Sequence, residues 1–254
     1  MYGERGRLGL IVPSSNTVCE PEMATLCPRG VMTYSTRIIF EPTIRGLKTM
    51  KDHVERPSLE LSSEGICDII AFCCTVGSMV GGPNYDQEII RMIEEKAKIP
   101  AITTTTAVKA ALDALDVNRI AIATPYTLEI NTLEKALVES MGYEVTHIIG
   151  YHEHIPPDRF TNEMIGRLVP EETYNLGLSV TDTRNEAIFI SCTNFRAIES
   201  IQPLEDETGK PVISSNQATL WYALQVLGIE DAIKGYGRLF DMGNLPIRTK
   251  EKTS

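Results

Sequence analysis

The chain has 254 residues, 43% of them hydrophobic and 23% charged, a balance that supports a folded core and excludes global disorder. Its formal net charge of −10 argues against a surface of clustered Lys and Arg that would neutralise phosphates, so nucleic acid is not an expected partner. The same charge repels anions at long range, so an anionic ligand must be held by local donors.

No run approaches the ~20 apolar residues that span a bilayer, and no membrane partner is expected. Met1–Arg7 runs straight into a strand-like segment, without the apolar stretch and cleavage site of an export signal. Six cysteines in such a chain are expected as free thiols in the cytoplasm rather than as three bridges.

Taken from the N-terminus, Leu8–Val12 reads as a buried strand that ends at Pro13-Ser14-Ser15-Asn16-Thr17. Val31–Ile39 is the second strand. Ile69–Phe72 is the third, followed by Cys73-Cys74-Thr75-Val76-Gly77-Ser78. Asn84–Lys98 reads as a helix, with Ile89, Ile90 and Ile93 apolar and Lys96 and Lys98 in the last turn, where cations suit the dipole. Ala101–Thr103 is a short strand, and Ala107–Leu115 is rich in the good helix formers Ala and Leu. Ile120–Ala123 leads to Thr124-Pro125-Tyr126-Thr127. The helix Leu128–Met141 follows, its apolar stripe at Leu128, Leu133, Leu137 and Met141, with Gly142 as its stop. Val145–Ile149, Ala187–Ile190 and Val212–Ile213 complete the strands. Short apolar strands alternating with amphipathic helices predict an α/β fold with parallel sheets covered on both faces.

Two motifs recur in the same order. Leu8–Val12 with Pro13 and its polar followers is echoed by Ile120–Ala123 with Thr124-Pro125-Tyr126. Ile70-Ala71-Phe72-Cys73-Cys74-Thr75 is echoed by Ile188-Phe189-Ile190-Ser191-Cys192-Thr193. The separations agree, 61 residues from Pro13 to Cys74 and 67 from Pro125 to Cys192. The sequence therefore predicts two pseudosymmetric lobes, each a parallel sheet flanked by helices, with the active site in the cleft between them. The expected bounds are 1–104, with 215–254 packing back on it, and 105–214.

Ligands of open parallel sheets bind beyond the carboxyl ends of the strands, and all four motifs lie at such ends. Pseudosymmetry would bring Cys74 and Cys192 to one small ligand from two sides. Amides of the turns after each cysteine, with Thr193 and Asn194 expected to open a helix, would bind oxyanions without a cation. They would also lower the thiol pKa below its free value of ~8.5. The echo selects Cys74 over Cys73; Cys19, Cys27, Cys67 and Cys73 read as small core residues. Other motifs are weaker. His152 and His154 lack a third ligand and sit beside Pro156-Pro157, so a solvated loop is expected and no metal. Thr103–Thr106 and Ser214-Ser215-Asn216, another echoed pair at strand ends, read first as helix caps and second as residues lining the cleft. Gly77, Gly81 and Gly82 lack the spacing of a dinucleotide fingerprint. His53 and His147 read as structural.

These residues resemble the aspartate/glutamate racemase superfamily, and within it the branch of maleate cis-trans isomerase and arylmalonate decarboxylase. The resemblance runs through Pro13–Thr17, Cys74–Ser78, Thr124–Tyr126 and Ser191–Asn194 and covers nearly the whole chain. It implies a homodimer with no metal or organic cofactor, acting on a small anionic carboxylate. In the isomerases, the residue matching Cys74 adds to the double bond as a thiolate and the residue matching Cys192 serves as proton donor. Carried over, Asn16 binds one carboxylate through its side chain, amides of Thr75, Val76, Thr193 and Asn194 hold oxygens, and Asn162 is a further substrate contact. Asn131 falls where those isomerases place a substrate-binding tyrosine, with Tyr126 able to approach from the preceding turn. The decarboxylases keep only the second cysteine, so Cys74 speaks for the isomerase. The residues themselves leave three functions open: a cis-trans isomerase of a maleate-like dicarboxylate, a two-cysteine racemase or epimerase of an amino acid or hydantoin, and a non-catalytic carboxylate binder.

Overall fold

A computed structural model describes residues 2–156, 159 and 161–242, with only the backbone of Asn162. Pro157 and the last residues of the expected returning segment, 243–254, lie outside the described residues.

Among the described residues, eight strands form two four-stranded parallel sheets. The first holds β1 (Gly6–Pro13), β2 (Val31–Ile38), β3 (Ile69–Phe72) and β4 (Ala101–Thr103) in the order β2-β1-β3-β4. The second holds β5 (Arg119–Thr124), β6 (Glu144–Gly150), β7 (Ala187–Ile190) and β8 (Val212–Ser214) in the order β6-β5-β7-β8. The orders are identical once β5 is matched to β1, so the two sheets are one design repeated. Parallel neighbours need crossover connections, and helices supply them. α1 (Cys19–Leu26), α2 (Ile44–Thr49), α3 (Glu55–Ser62), α4 (Thr75–Met79) and α5 (Tyr85–Ala97) serve the first sheet. They are followed by α6 (Thr104–Ala114), α7 (Leu128–Ser140), α8 (Pro170–Val180), α9 (Ile198–Thr208), α10 (Ser215–Val226) and the short α11 (Arg238–Asp241).

The register makes the repeat structural. Ile11 pairs with Phe72 in the first sheet and Ala123 with Ile190 in the second. Cys74 and Cys192 each lie two residues beyond these pairs, at equivalent places in the two sheets. The backbone repeats too: the Cys73 amide donates to the Ile11 carbonyl and the Ser191 amide to the Ala123 carbonyl, both at 2.9 Å. β3, β4, β7 and β8 are buried along their whole length, as their uninterrupted apolar character requires.

Helices α1, α6 and α10 join the two halves, with α10 packed along α6 and against α1. α6 begins at Thr104, before the expected Ala107, because Thr103 caps it by accepting the Thr106 amide at 3.1 Å. Ser214 caps α10 in the same way through the Gln217 amide at 3.2 Å.

The buried face of α7 differs from the expected stripe. Leu128 and Leu133 are 69% and 41% exposed, and the side chains turned inward are Asn131, Glu134, Leu137 and Val138. Tyr151–His154 forms a 3-10 turn rather than an open loop, and His152 Nδ1–H donates to the Tyr126 carbonyl. No described helix is long and apolar enough to cross a membrane, and all six cysteines are free thiols.

Candidate active site

The ends of β1, β3, β5 and β7 open on one cavity of about 320 Å³. Its wall includes Asn16, Cys74, Thr75, Val76, Tyr126, Cys192, Thr193 and Asn194, which are eight of the ten site residues expected from sequence. Asn131 is placed elsewhere. It sits on α7 one layer behind the wall, 2% exposed, where Thr124 Oγ1 donates to its Oδ1 at 2.6 Å. The tyrosine on the cavity wall is Tyr126, which enters from the turn between β5 and α7. The side chain of Asn162 lies outside the described residues.

Cys74 ends the β3 motif as the cap of α4. Its Sγ accepts the Gly77 amide at 3.3 Å, and its carbonyl accepts the Ser78 amide at 3.0 Å. The Thr75 and Val76 amides are then the free donors of that first turn, as helix geometry dictates.

Cys192 is built differently. Its φ of +132° lies in the region that favours glycine, so the chain turns sharply there and no helix begins until Ile198. The helix expected at Thr193 and Asn194 is replaced by a turn closed by the Phe195 amide on the Cys192 carbonyl at 3.2 Å. The Asn194 amide is aimed at the Cys192 sulfur, 3.3 Å away, so it serves the thiol.

A strap of buried hydroxyls holds the two cysteines in one frame. Ser215 Oγ accepts the Cys192 amide at 3.0 Å and shares a 2.9 Å hydrogen bond with Thr75 Oγ1. Thr193 Oγ1 donates to the Cys73 carbonyl at 3.0 Å and accepts Asn16 Nδ2–H at 3.0 Å. Asn16 Oδ1 accepts the Val18 and Cys19 amides, both at 2.9 Å, which caps α1 and leaves one Nδ2–H unclaimed. Arg37 steadies the same loop from outside, donating to the Asn16 carbonyl at 2.7 Å. Ser215 was visible in the sequence within Ser214-Ser215-Asn216, yet only Ser214 is a cap.

Burial, and not the helix ends, decides the charge of the thiols. Cys74 is pushed up to about 12 by burial, against the pull of the Gly77 amide, with Cys192 and Cys73 adding to the rise. Cys192 is pushed up to about 11 by burial, against the hydroxyl of Tyr126 and the Asn194 amide. The expectation of lowered thiol pKa values is thus reversed in the free protein, because desolvation of a charge outweighs a few oriented dipoles. Two carboxyls that the sequence reading passed over lie nearby. Glu22 on α1 and Glu134 on α7 are 4% and 1% exposed, and burial raises each to about 7. Among the described residues no Lys or Arg lines the cavity, so any anion bound there is held by amides, hydroxyls and amide side chains. Phe40, Pro42, Leu47, Ile130 and Ile165 form the apolar remainder of the wall. No described cluster of three or more His, Cys, Asp or Glu side chains is arranged to hold a metal.

Two parallel-sheet lobes that deliver one thiol each to an interlobe cavity define a paired-cysteine α/β enzyme. The chain belongs to the arylmalonate decarboxylase family, whose model matches residues 8–240. It is similar to the maleate isomerase of Geobacillus stearothermophilus, with 27% identity over 248 residues, covering 92% of this chain and 96% of the relative. The maleate isomerase Iso of Pseudomonas putida S16 superposes with a TM-score of 0.85 at 26% identity, covering 93% of this chain and 98% of that one. A Nocardia farcinica maleate cis-trans isomerase mutant, with a cysteine changed to serine and a covalently bound succinylcysteine intermediate, gives a TM-score of 0.84 at 25% identity. The match covers 94% of this chain and 99% of that one.

Proposed function

We infer that the protein is a cofactor-independent cis-trans isomerase that converts a small maleate-like dicarboxylate into its trans isomer through a cysteine adduct. The observation that carries this reading is the presence of Cys74 and Cys192, one from each sheet, on the wall of one cavity lined by neutral donors. The succinylcysteine reported for the Nocardia farcinica relative supports covalent addition as the opening step.

In this reading Cys74 passes its proton to water as substrate enters, and the thiolate adds through sulfur to one alkene carbon. The alkene electron pair moves to the neighbouring carbon and is delocalised into its carboxylate. Amides of Thr75 and Val76, the free Nδ2–H of Asn16 and donors around Thr193 and Asn194 stabilise that developing charge. Cys192 gives its proton to the carbanionic carbon, and what was a double bond becomes a freely rotating single bond. After rotation the Cys192 thiolate takes a proton back, the double bond re-forms and the Cys74 thiolate leaves. Tyr126 orients Cys192 and a substrate oxygen, and Asn162 is a further contact. The lobes are taken as residues 1–104 with the described part of the returning segment, 215–242, and residues 105–214. The working form is a homodimer in the cytoplasm.

The test is an NMR assay of the purified protein with maleate, aspartate, glutamate, hydantoins and arylmalonates in deuterated buffer. Maleate is expected to give fumarate, and Cys74→Ala and Cys192→Ala are each expected to abolish it. Folded variants that both retain full turnover overturn the reading. Deuterium entering the α-carbon of an amino acid assigns a racemase instead, and carbon dioxide from an arylmalonate assigns a decarboxylase.

A further inference from the structure

Behind Cys192 lies a group of buried polar atoms that the adduct chemistry leaves unused. Glu134 points inward from α7, 1% exposed, with the Ser191 hydroxyl beside its carboxyl as a hydrogen-bonding neighbour. Asn131 Nδ2, one turn earlier on the same face, has no partner among the described residues. A buried carboxyl served by one hydroxyl has far fewer hydrogen bonds than water would give it, which calls for an explanation. A second cavity of about 190 Å³ reaches Glu134 from the far side, between α4 and α7, with Met79, Leu133 and Leu137 on its wall. Val76 lines both cavities and separates them. Glu134 thus lines a cavity distinct from the front cleft while its carboxyl oxygens stay sealed from solvent. Its field falls on Cys192 and Tyr126, and Tyr126 also hydrogen-bonds Cys192.

We propose that Glu134 is a positioning residue for the second half of the site: its charge state governs how readily Cys192 parts with its proton. This rests on Cys192 being the proton donor of the proposed function, but its test does not depend on turnover. A neutral Glu134 lets the Cys192 thiolate form. An ionised Glu134 holds the proton on sulfur by like-charge repulsion and keeps Cys192 in its donor form. The titratable groups that face Glu134 are Tyr126, from the β5–α7 turn, and Cys192, from the end of β7. Cys74 adds to the field at Tyr126. α4 contributes no ionisable side chain, and the Glu144 and His147 side chains of β6 are exposed. Glu22 acts on Cys192 from α1.

The experiment follows alkylation of each cysteine in the full chain by iodoacetamide, in which the thiolate displaces iodide, with peptide mass spectrometry as a function of pH. A thiol far below its pKa gives a logarithmic rate that rises with unit slope. In the wild-type protein the Cys192 line is expected to flatten as Glu134 ionises near its raised value of about 7 and then resume its slope. In Glu134→Gln the bend disappears, and above it Cys192 alkylates about threefold faster or more. Glu134→Asp, which keeps the charge, returns the rate toward wild type, and the Cys74 profile is unmoved throughout. A straight wild-type line for Cys192 overturns the proposal, and that measurement needs no variant to fold. So does a Glu134→Gln effect of equal size on both cysteines, which would mark a general loosening. Loss of isomerase activity as a reading, with the bend intact, leaves this inference standing.

Discussion

Glu22→Gln is expected to change the sign of its effect on stability with pH. Glu22 crosses between the halves: Oε1 accepts the Ala197 and Ile198 amides at 2.7 and 3.2 Å, and Oε2 accepts Asn216 Nδ2 at 2.6 Å. Burial nonetheless lifts it from its ordinary 4.5 to about 7, because three hydrogen bonds do not replace the water lost by a fully buried carboxylate. A carboxyl raised in the folded state contributes full stability below its unfolded pKa and loses it as pH climbs to the folded value. At about 1.4 kcal/mol per pH unit, the loss approaches about 3 kcal/mol by about pH 8.

Glutamine does not titrate, so it escapes that loss, but it carries a cost of its own. Its Oε1 still serves the two amides, while its Nε2 meets Asn216 Nδ2 donor to donor. Turning the Asn216 amide over lets its unpartnered Oδ1 accept from the glutamine, yet removes Nδ2 from the Thr193 carbonyl it now holds at 3.0 Å. One net hydrogen bond is lost, about 1 kcal/mol. The variant is thus expected to be less stable by up to about 1 kcal/mol near pH 4.5 and more stable by about 2 kcal/mol near pH 8, crossing between about pH 5 and 6. Urea unfolding across that range measures it directly. Thermal midpoints should swing by roughly 2–4 °C for each kcal/mol in a chain of this size. Glu134 titrates in the same window in both proteins and cancels in the difference. A stability change of one sign and constant size from acid to alkaline pH refutes the reasoning.

Two further substitutions probe the cysteines themselves. Tyr126→Phe removes the hydroxyl that lowers the Cys192 thiol, so its pKa rises and iodoacetamide labelling of Cys192 at fixed alkaline pH slows about three- to tenfold, read by peptide mass spectrometry. Gly77→Ala places a methyl 2.7 Å from Cys74 Sγ and 3.1 Å from Met50 Sδ, so the sulfur must rotate away from its donor. We expect kcat on maleate to fall at least about tenfold, with a stability loss of about 1–3 kcal/mol in urea.

Strand positions were legible because a strand buried on both faces is an unbroken apolar run, and Ile69–Phe72 and Ala187–Ile190 appear in the sequence just as they do in the sheets. The repeat was legible because proline and cysteine recur at matched strand ends, and the register pairs Ile11 with Phe72 and Ala123 with Ile190, two residues before each cysteine. The state of the thiols was not legible. A helix cap is a local feature, whereas the burial that overrides it is a sum over residues from both lobes. Ser215 was hidden for a related reason, since a serine at a helix start satisfies the capping pattern whether or not it also bridges two cysteines.

The largest departure lies in α7, and it is informative. Hydrophobic spacing picks out Leu128, Leu133, Leu137 and Met141 as the buried stripe, but the helix is rotated so that Leu128 and Leu133 meet solvent while Asn131 and Glu134 are sealed inside. Burying a carboxyl with a single hydroxyl beside it is costly, and exposing leucines forgoes burial that would offset it. A rotation that gave only stability would run the other way. Local rules are broken in this manner mainly where a fold serves its site, and the layer that α7 presents, Asn131 behind Thr124 and Glu134 behind Ser191, is the layer directly beneath Tyr126 and Cys192. The misread face of this helix and the unexplained carboxyl are therefore one observation, and both are accounted for if Cys192 requires an ionisable neighbour more than the fold requires another buried leucine.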